Sequence, residues 1–162
     1  MSASARICIT SENGGCGCGA VRYQLNGQPL FTHACHCTEC QRRTGSAFGL
    51  TMMIERTQLL VSRGELKTVV VKTDSGNAKT SYFCPGCGVH VWNERDRDSA
   101  VCAFRPGTLD NSRGITVGAH VWTCSRQSWL KLDPSIPAFY QMYKRDEIWP
   151  PASLSRVRNK SP

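Results

Sequence analysis

Two short cysteine pairs, far apart in the chain, constrain this sequence more than any other feature. Cys16 and Cys18 lie in the run GGCGCG, and Cys84 and Cys87 lie in CPGCG. Each pair sits among glycines, which relax the backbone limits that would keep two nearby sulfurs from reaching one ion. Two such pairs supply the four donors of a closed tetrahedral site. A structural zinc on Cys16, Cys18, Cys84 and Cys87 would bring residue 16 against residue 84, so the sequence between them has to fold back on itself.

Three further cysteines stand closer together. Cys35, Cys37 and Cys40 are spaced C-x-C-x-x-C in the stretch ACHCTECQRRTGSAFG. Three thiols this close cannot all pair with one another as disulfides, but they can all face one ion. They are one donor short of a closed site, which leaves a position open to water or substrate. His33, His36, His90, His120, Cys8, Cys102 and Cys124 are the candidates for a fourth ligand. His36 alternates away from its cysteine neighbours on an extended chain. Cys8 and Cys102 sit in apolar strand sequence and read as small core residues. Cys124 follows a strand end, and no spacing requires any of these residues to close the site. His120, in AHVW, reads as a hydrogen-bonded strand histidine.

Ten cysteines could also staple a secreted scaffold. The N-terminal residues MSASARICITSENGG lack an apolar stretch followed by a small-residue cleavage site, and no apolar run reaches the ~18 residues that would cross a bilayer. The expectation is a cytoplasmic protein with reduced thiols, no membrane partner and two zinc ions per chain. The formal charge is +8. The basic residues are scattered rather than gathered into a stripe, so a small anionic ligand is expected and nucleic acid is not. Arg42 and Arg43 follow the three-cysteine run directly. An arginine fork grips a carboxylate with two hydrogen bonds, so Arg42, Arg43 and the hydroxyl of Ser46 are candidate substrate-binding groups. The bland alternatives are a solvated helix face for the arginines and ordinary turn chemistry for Gly45-Ser46.

The rest of the chain reads as short strands with turns every few residues. Alternation or β-branched content predicts strands over 6–10, 20–25, 30–34, 47–54, 59–61, 65–72, 78–83, 89–92, 100–104 and 115–122. Asn13-Gly14-Gly15 and residues 74–77 read as turns, and residues 93–98 as a charged surface loop. A short helix is expected over 38–44, ended by Gly45, and a second over 134–148. This is a mostly-β single domain over 6–149, with short antiparallel sheets and little helix. Residues 150–162 have the composition of a disordered tail.

Three motifs, GGCGCGAVRY, ACHCTECQRRTGSAFG and FCPGCGVHVW, together resemble the glutathione-dependent formaldehyde-activating (GFA) family, which includes the centromere protein V-like proteins. The likeness runs from about Gly14 to Trp92 and continues more weakly to about residue 129. It implies a zinc-bearing β-tent. It also implies a structural zinc on Cys16, Cys18, Cys84 and Cys87, and a catalytic zinc on Cys35, Cys37 and Cys40. The implied activity is that of a carbon–sulfur lyase, which condenses glutathione with formaldehyde to S-hydroxymethylglutathione. The alternative expectation is a non-catalytic zinc-stabilised binding module on the same scaffold.

Overall fold

The computed structural model describes residues 11–72, 78–95 and 100–158. Its strands form two sheets. The smaller holds β1 (Ser11–Gly15), β2 (Arg22–Asn26) and β5 (Leu59–Arg63), in the order β1-β2-β5. The larger holds β3 (Phe31–Cys35), β4 (Gly49–Glu55), β6 (Lys67–Lys72), β7 (Ala78–Phe83), β8 (His90–Arg95), β9 (Val101–Phe104) and β10 (Ala119–Val121). Their order is β10-β3-β4-β9-β8-β7-β6. All pairings are antiparallel except that of β10 with β3. The expected mostly-β architecture is present, with helix confined to short pieces.

The main core lies between the sheets. Side chains alternate along β2, so Tyr23 and Leu25 turn inward and pack with Met52, Ile54, Leu59, Val91, Trp92, Cys102, Phe104 and Leu109. Tyr23 meets Phe104 edge-to-face, with ring centroids 5.4 Å apart. Its hydroxyl bonds Thr108 Oγ1 at 2.6 Å. That contact needs Gly14, because a Cβ there would fall 2.2 Å from the Tyr23 hydroxyl. Cys102 is a core residue, as its apolar neighbours imply. A second cluster lies around β3 and β10, where Leu30, Val121, Tyr143 and Trp149 are buried.

Several elements differ from the expectation. The strand expected at 6–10 and the turn at 74–77 lie outside the described residues. Ser11–Gly15 is a strand, not a turn, because β2 offers it a full antiparallel register from Ser11↔Asn26 to Gly15↔Arg22. β8 runs through Asn93, Glu94 and Arg95 instead of stopping at a charged loop. Asn93 is buried, and Glu94 accepts hydrogen bonds from Trp92 Nε1, Tyr82 Oη and Arg56 Nε. These partners satisfy Glu94; residues 96–98 of the expected loop lie outside the described residues.

β10 keeps only Ala119–Val121 of the strand expected over 115–122, since Trp122 takes a left-handed conformation at φ 58°. The helix expected over 134–148 is reduced to α2 (Arg145–Ile148). Pro134 and Pro137 disfavour a helix over the preceding stretch. Its backbone instead runs along β10: His120 N donates to Pro137 O at 2.8 Å, and Phe139 N donates to His120 O at 2.9 Å. The expected tail holds a helix, α3 (Pro151–Arg158). Leu154 and Val157 pack on the second core cluster, and Arg156 pairs with Glu55. Polar composition misled there because a single apolar stripe on a short helix is enough to dock it.

Candidate metal centres

The two distant cysteine pairs meet at one corner of the molecule, on loops built alike. Cys16 N donates to Val21 O at 3.1 Å and Gly19 N to Cys16 O at 3.0 Å. Cys84 N donates to Val89 O at 2.9 Å and Gly88 N to Cys84 O at 2.9 Å. Each loop turns on a glycine in the left-handed region, Gly19 at φ 75° and Gly88 at φ 73°. The sulfurs of Cys16, Cys18, Cys84 and Cys87 all lie within 4.8 Å of one another. Cys16 and Cys18 are 3.4 Å apart, and Cys18 and Cys84 are 3.7 Å apart. Four sulfurs bound at 2.3 Å around a tetrahedral ion would stand about 3.8 Å apart, so the group fits a four-thiolate ion.

Backbone amides point at these sulfurs. Val21 N donates to Cys16 Sγ at 3.2 Å. Burial opposes ionisation of Cys16, but that amide and the three neighbouring sulfurs bring its pKa down to about 6. The Ala20 amide favours the Cys18 thiolate, yet the sulfurs of Cys16, Cys87 and Cys84 push Cys18 up to about 11. Without a cation, the group must keep protons to hold its sulfurs together. A divalent ion removes that conflict.

The second group is built on one local stretch. Cys35 ends β3, Cys37 caps α1 (Thr38–Thr44), and Cys40 lies in its first turn. Cys37 Sγ accepts from Cys40 N at 3.4 Å, and Gly45 ends the helix in the left-handed region at φ 60°. The three sulfurs lie within 4.8 Å of one another. Among the described residues, no histidine, carboxylate or further cysteine comes that close to all three. Thiol donation from Cys35 and Cys40 pulls Cys37 well below the usual thiol range, and Cys37 in turn pushes Cys35 up. This trio could also hold a divalent ion, with one position left for another ligand.

The histidine neighbours are otherwise engaged. His36 is buried, with Nε2 3.0 Å from His120 Nδ1, and its own Nδ1 has no hydrogen-bond partner among the described residues. His33 Nδ1 is 2.9 Å from the Tyr143 hydroxyl, which accepts from Trp149 Nε1 at 3.1 Å. Cys124 is exposed beside Ser125, and Cys8 lies outside the described residues.

Of the candidate substrate-binding groups, Arg43 stands near the trio, with its side chain 20% exposed and paired to Glu39 one helical turn back. Arg42 and Ser46 are exposed. Two cations not singled out in the sequence also stand close. Arg105 follows β9 and is 9% exposed. Its Nη1 donates to Leu50 O at 3.2 Å and Thr51 Oγ1 at 3.0 Å, and its Nε donates to His90 Nδ1 at 3.4 Å. Burial lowers its pKa, and the Cys40 and Cys35 sulfurs oppose that shift. Gly49 makes room for this approach: a Cβ there would be 3.2 Å from both Arg105 Nη1 and Cys40 Cβ. Lys79 on β7 has a side chain only 15% exposed, with Nζ 3.9 Å from Glu39. The sequence signal was present for Lys79, since alternation in AKTSYF places it on one face with Ser81. Arg105 was hidden in a run that reads as a turn.

Comparison with known proteins decides the family. The sequence profile of the glutathione-dependent formaldehyde-activating enzymes matches residues 11–125, which takes in both cysteine groups. The chain belongs to the glutathione-dependent formaldehyde-activating family. Family relatives in Fusarium vanettenii and Penicillium rubens, provisionally named as glutathione-dependent formaldehyde-activating enzymes, are each 29% identical over 83 residues. Those matches cover 51% of this chain and 44% and 42% of the two relatives, so the matched stretch spans less than half of their length. A Rhodobacter sphaeroides protein of known crystal structure shares the fold, with a TM-score of 0.50 at 19% identity over 78% of this chain and 98% of that one.

Proposed function

We propose that this family member is a zinc-dependent carbon–sulfur lyase that joins a small thiol, glutathione first, to formaldehyde. The reaction forms one carbon–sulfur bond to give S-hydroxymethylglutathione. The carbonyl π bond opens, and the proton leaving sulfur ends on oxygen. The observation that carries the reading is the unequal closure of the two cysteine groups: four sulfurs within mutual reach in one, three without a fourth donor in the other.

Cys16, Cys18, Cys84 and Cys87 would hold a structural zinc, and Cys35, Cys37 and Cys40 a catalytic one. Zinc bound at the open trio would acidify a thiol and polarise a carbonyl. The chain's own residues do the rest. The half-buried trio keeps bulk water from surrounding the reacting sulfur. Arg43, held by Glu39, presents a cation beside it. Arg42 and Ser46, on the outer side, can meet only the solvent-facing end of a peptide-sized thiol. All the described cysteines are free, which suits a reducing compartment such as the cytoplasm.

Exchange NMR with isotopically labelled formaldehyde and glutathione tests the reading, with the uncatalysed condensation as baseline. The zinc-loaded chain is expected to accelerate exchange, and Cys37→Ser to return it to the baseline while the protein stays folded. A fully metallated chain that adds nothing to the spontaneous rate refutes the proposal.

A further inference from the structure

The larger sheet has two different faces. One carries Met52, Ile54, Trp92 and Phe104 into the apolar core against the smaller sheet. The strand registers place Cys35, Gly49, Met53, Ala103, Asn93, Ser81 and Lys79 on the other. Arg105 reaches this second face at Thr51. Much of it is buried and polar: Ser81 is 0% exposed, Asn93 5% and Thr51 6%, and Ser81 Oγ donates to Asn93 Oδ1 at 2.7 Å.

Three cations converge there. Arg43 and Arg105 both lie close enough to Lys79 to lower its pKa, Arg43 also lowers that of Arg105, and among the described residues Glu39 is the carboxylate paired with Arg43 and Lys79. Among the described residues, Arg105 has no carboxylate partner; it donates to a carbonyl, a hydroxyl and an imidazole. Withdrawing cations from water is costly unless anions compensate. Glu39 offsets one cation. Three thiolates around a divalent ion carry one net negative charge and offset a second. One positive charge is left facing the trio.

We propose that Lys79, backed by Arg105, is the carboxylate-recognising group beside the trio, and selects thiols that carry a carboxylate over neutral ones. The proposal rests on the reading above that the trio binds a metal that takes a thiol. Arg43 spends its Nε on Glu39 through an i,i+4 contact. Lys79 reaches the same carboxylate only at 3.9 Å, beyond hydrogen-bond distance, so its three N–H donors are not spent on it. The selective contact is thus assigned to β7, with the arginine next to the cysteines in a lesser part.

The cobalt-loaded protein tests this, because a thiolate joining the trio's cobalt changes its charge-transfer absorption. Two probe thiols are titrated, 3-mercaptopropionate with a carboxylate and 2-mercaptoethanol without one. The intact protein is expected to prefer 3-mercaptopropionate by about tenfold or more, the worth of one charge-assisted contact. Lys79→Met should abolish most of that preference and leave 2-mercaptoethanol binding unchanged, while Lys79→Arg should restore it. A preference that survives in Lys79→Met, or is absent from the intact protein, overturns the assignment of Lys79 alone. A cobalt spectrum that responds to neither thiol overturns the assignment together with the thiol-binding reading beneath it.

Discussion

The two cysteine groups share a donor atom and differ in closure, four sulfurs against three. The four-cysteine group joins loops 66 residues apart in sequence, and two of its members, Cys18 and Cys87, are exposed. Exposure costs it little, because four thiolates saturate a tetrahedral ion and leave solvent nothing to attack. The three-cysteine group spans six residues of one local stretch and ties nothing distant together. It sits half-buried against a cationic wall. On the proposed reading, closure in the first group would serve the fold, and incompleteness and surrounding charge in the second would serve chemistry.

The largest expected effect tests the first half of that contrast. Cys84→Ala should leave the protein insoluble or molten. Structural zinc sites in small modules contribute roughly 10 kcal/mol or more, comparable with the whole stability of a domain at about 5–15 kcal/mol. An unchanged melting curve for a soluble variant would remove the distinction between the groups.

Arg105→Met should act on the second group only. Loss of the buried cation next to Cys40 is expected to weaken metal binding at the trio by about 10–100-fold in chelator competition, the range for groups supporting a metal's ligands. The four-cysteine ion should be retained. Equal weakening of both ions would show that the cation acts on the whole fold.

A third expectation concerns acid. His90 Nε2 donates to Trp92 O at 3.0 Å, and Nδ1 accepts from Arg105 Nε at 3.4 Å, so the ring is held neutral. Burial, helped by the Arg105 charge, lowers its pKa to about 4. The unfolded chain binds this proton near pH 6.5, and the folded chain resists it until about pH 4. Stability from His90 is thus complete above the unfolded pKa and declines as pH falls through that window, by roughly 2 kcal/mol once solvent screening is allowed for. In denaturant titrations, His90→Asn should flatten the profile between these limits; an identical slope would rule the histidine out.

The smallest effect is expected at Arg42. Its neighbour Arg43 faces Glu39 and the trio, whereas Arg42 is exposed. Arg42→Ala should change KM by less than about twofold, and Arg43→Ala by more. The reverse order would put the substrate on the outer side of α1.

Legibility followed the range of the interactions. The short helix at 38–44 and the strand at 78–83 were readable because their signals are local: a capping cysteine and a terminal glycine for one, alternation for the other. The strand at 11–15 and the extended path of 137–141 were not, because each is held by a partner segment that local propensity does not contain. Helix α3 is illegible for the same reason: Leu154 and Val157 are ordinary until the buried cluster that holds Tyr143 and Trp149 lies against them.

By itself, the sequence determined the donor sets. Cysteine spacing bears directly on which sulfurs can share an ion, and glycines flanking the pairs mark where the backbone can curl around one. Only the tertiary structure decided what surrounds those sulfurs. Arg105 and Lys79 come to the trio from β9 and β7 through strand registers, and a one-residue slip in either would turn its side chain to the opposite face. The spacing within each cysteine run is a short-range property of this chain, and the meeting of the two distant pairs and the charges around the trio are long-range ones.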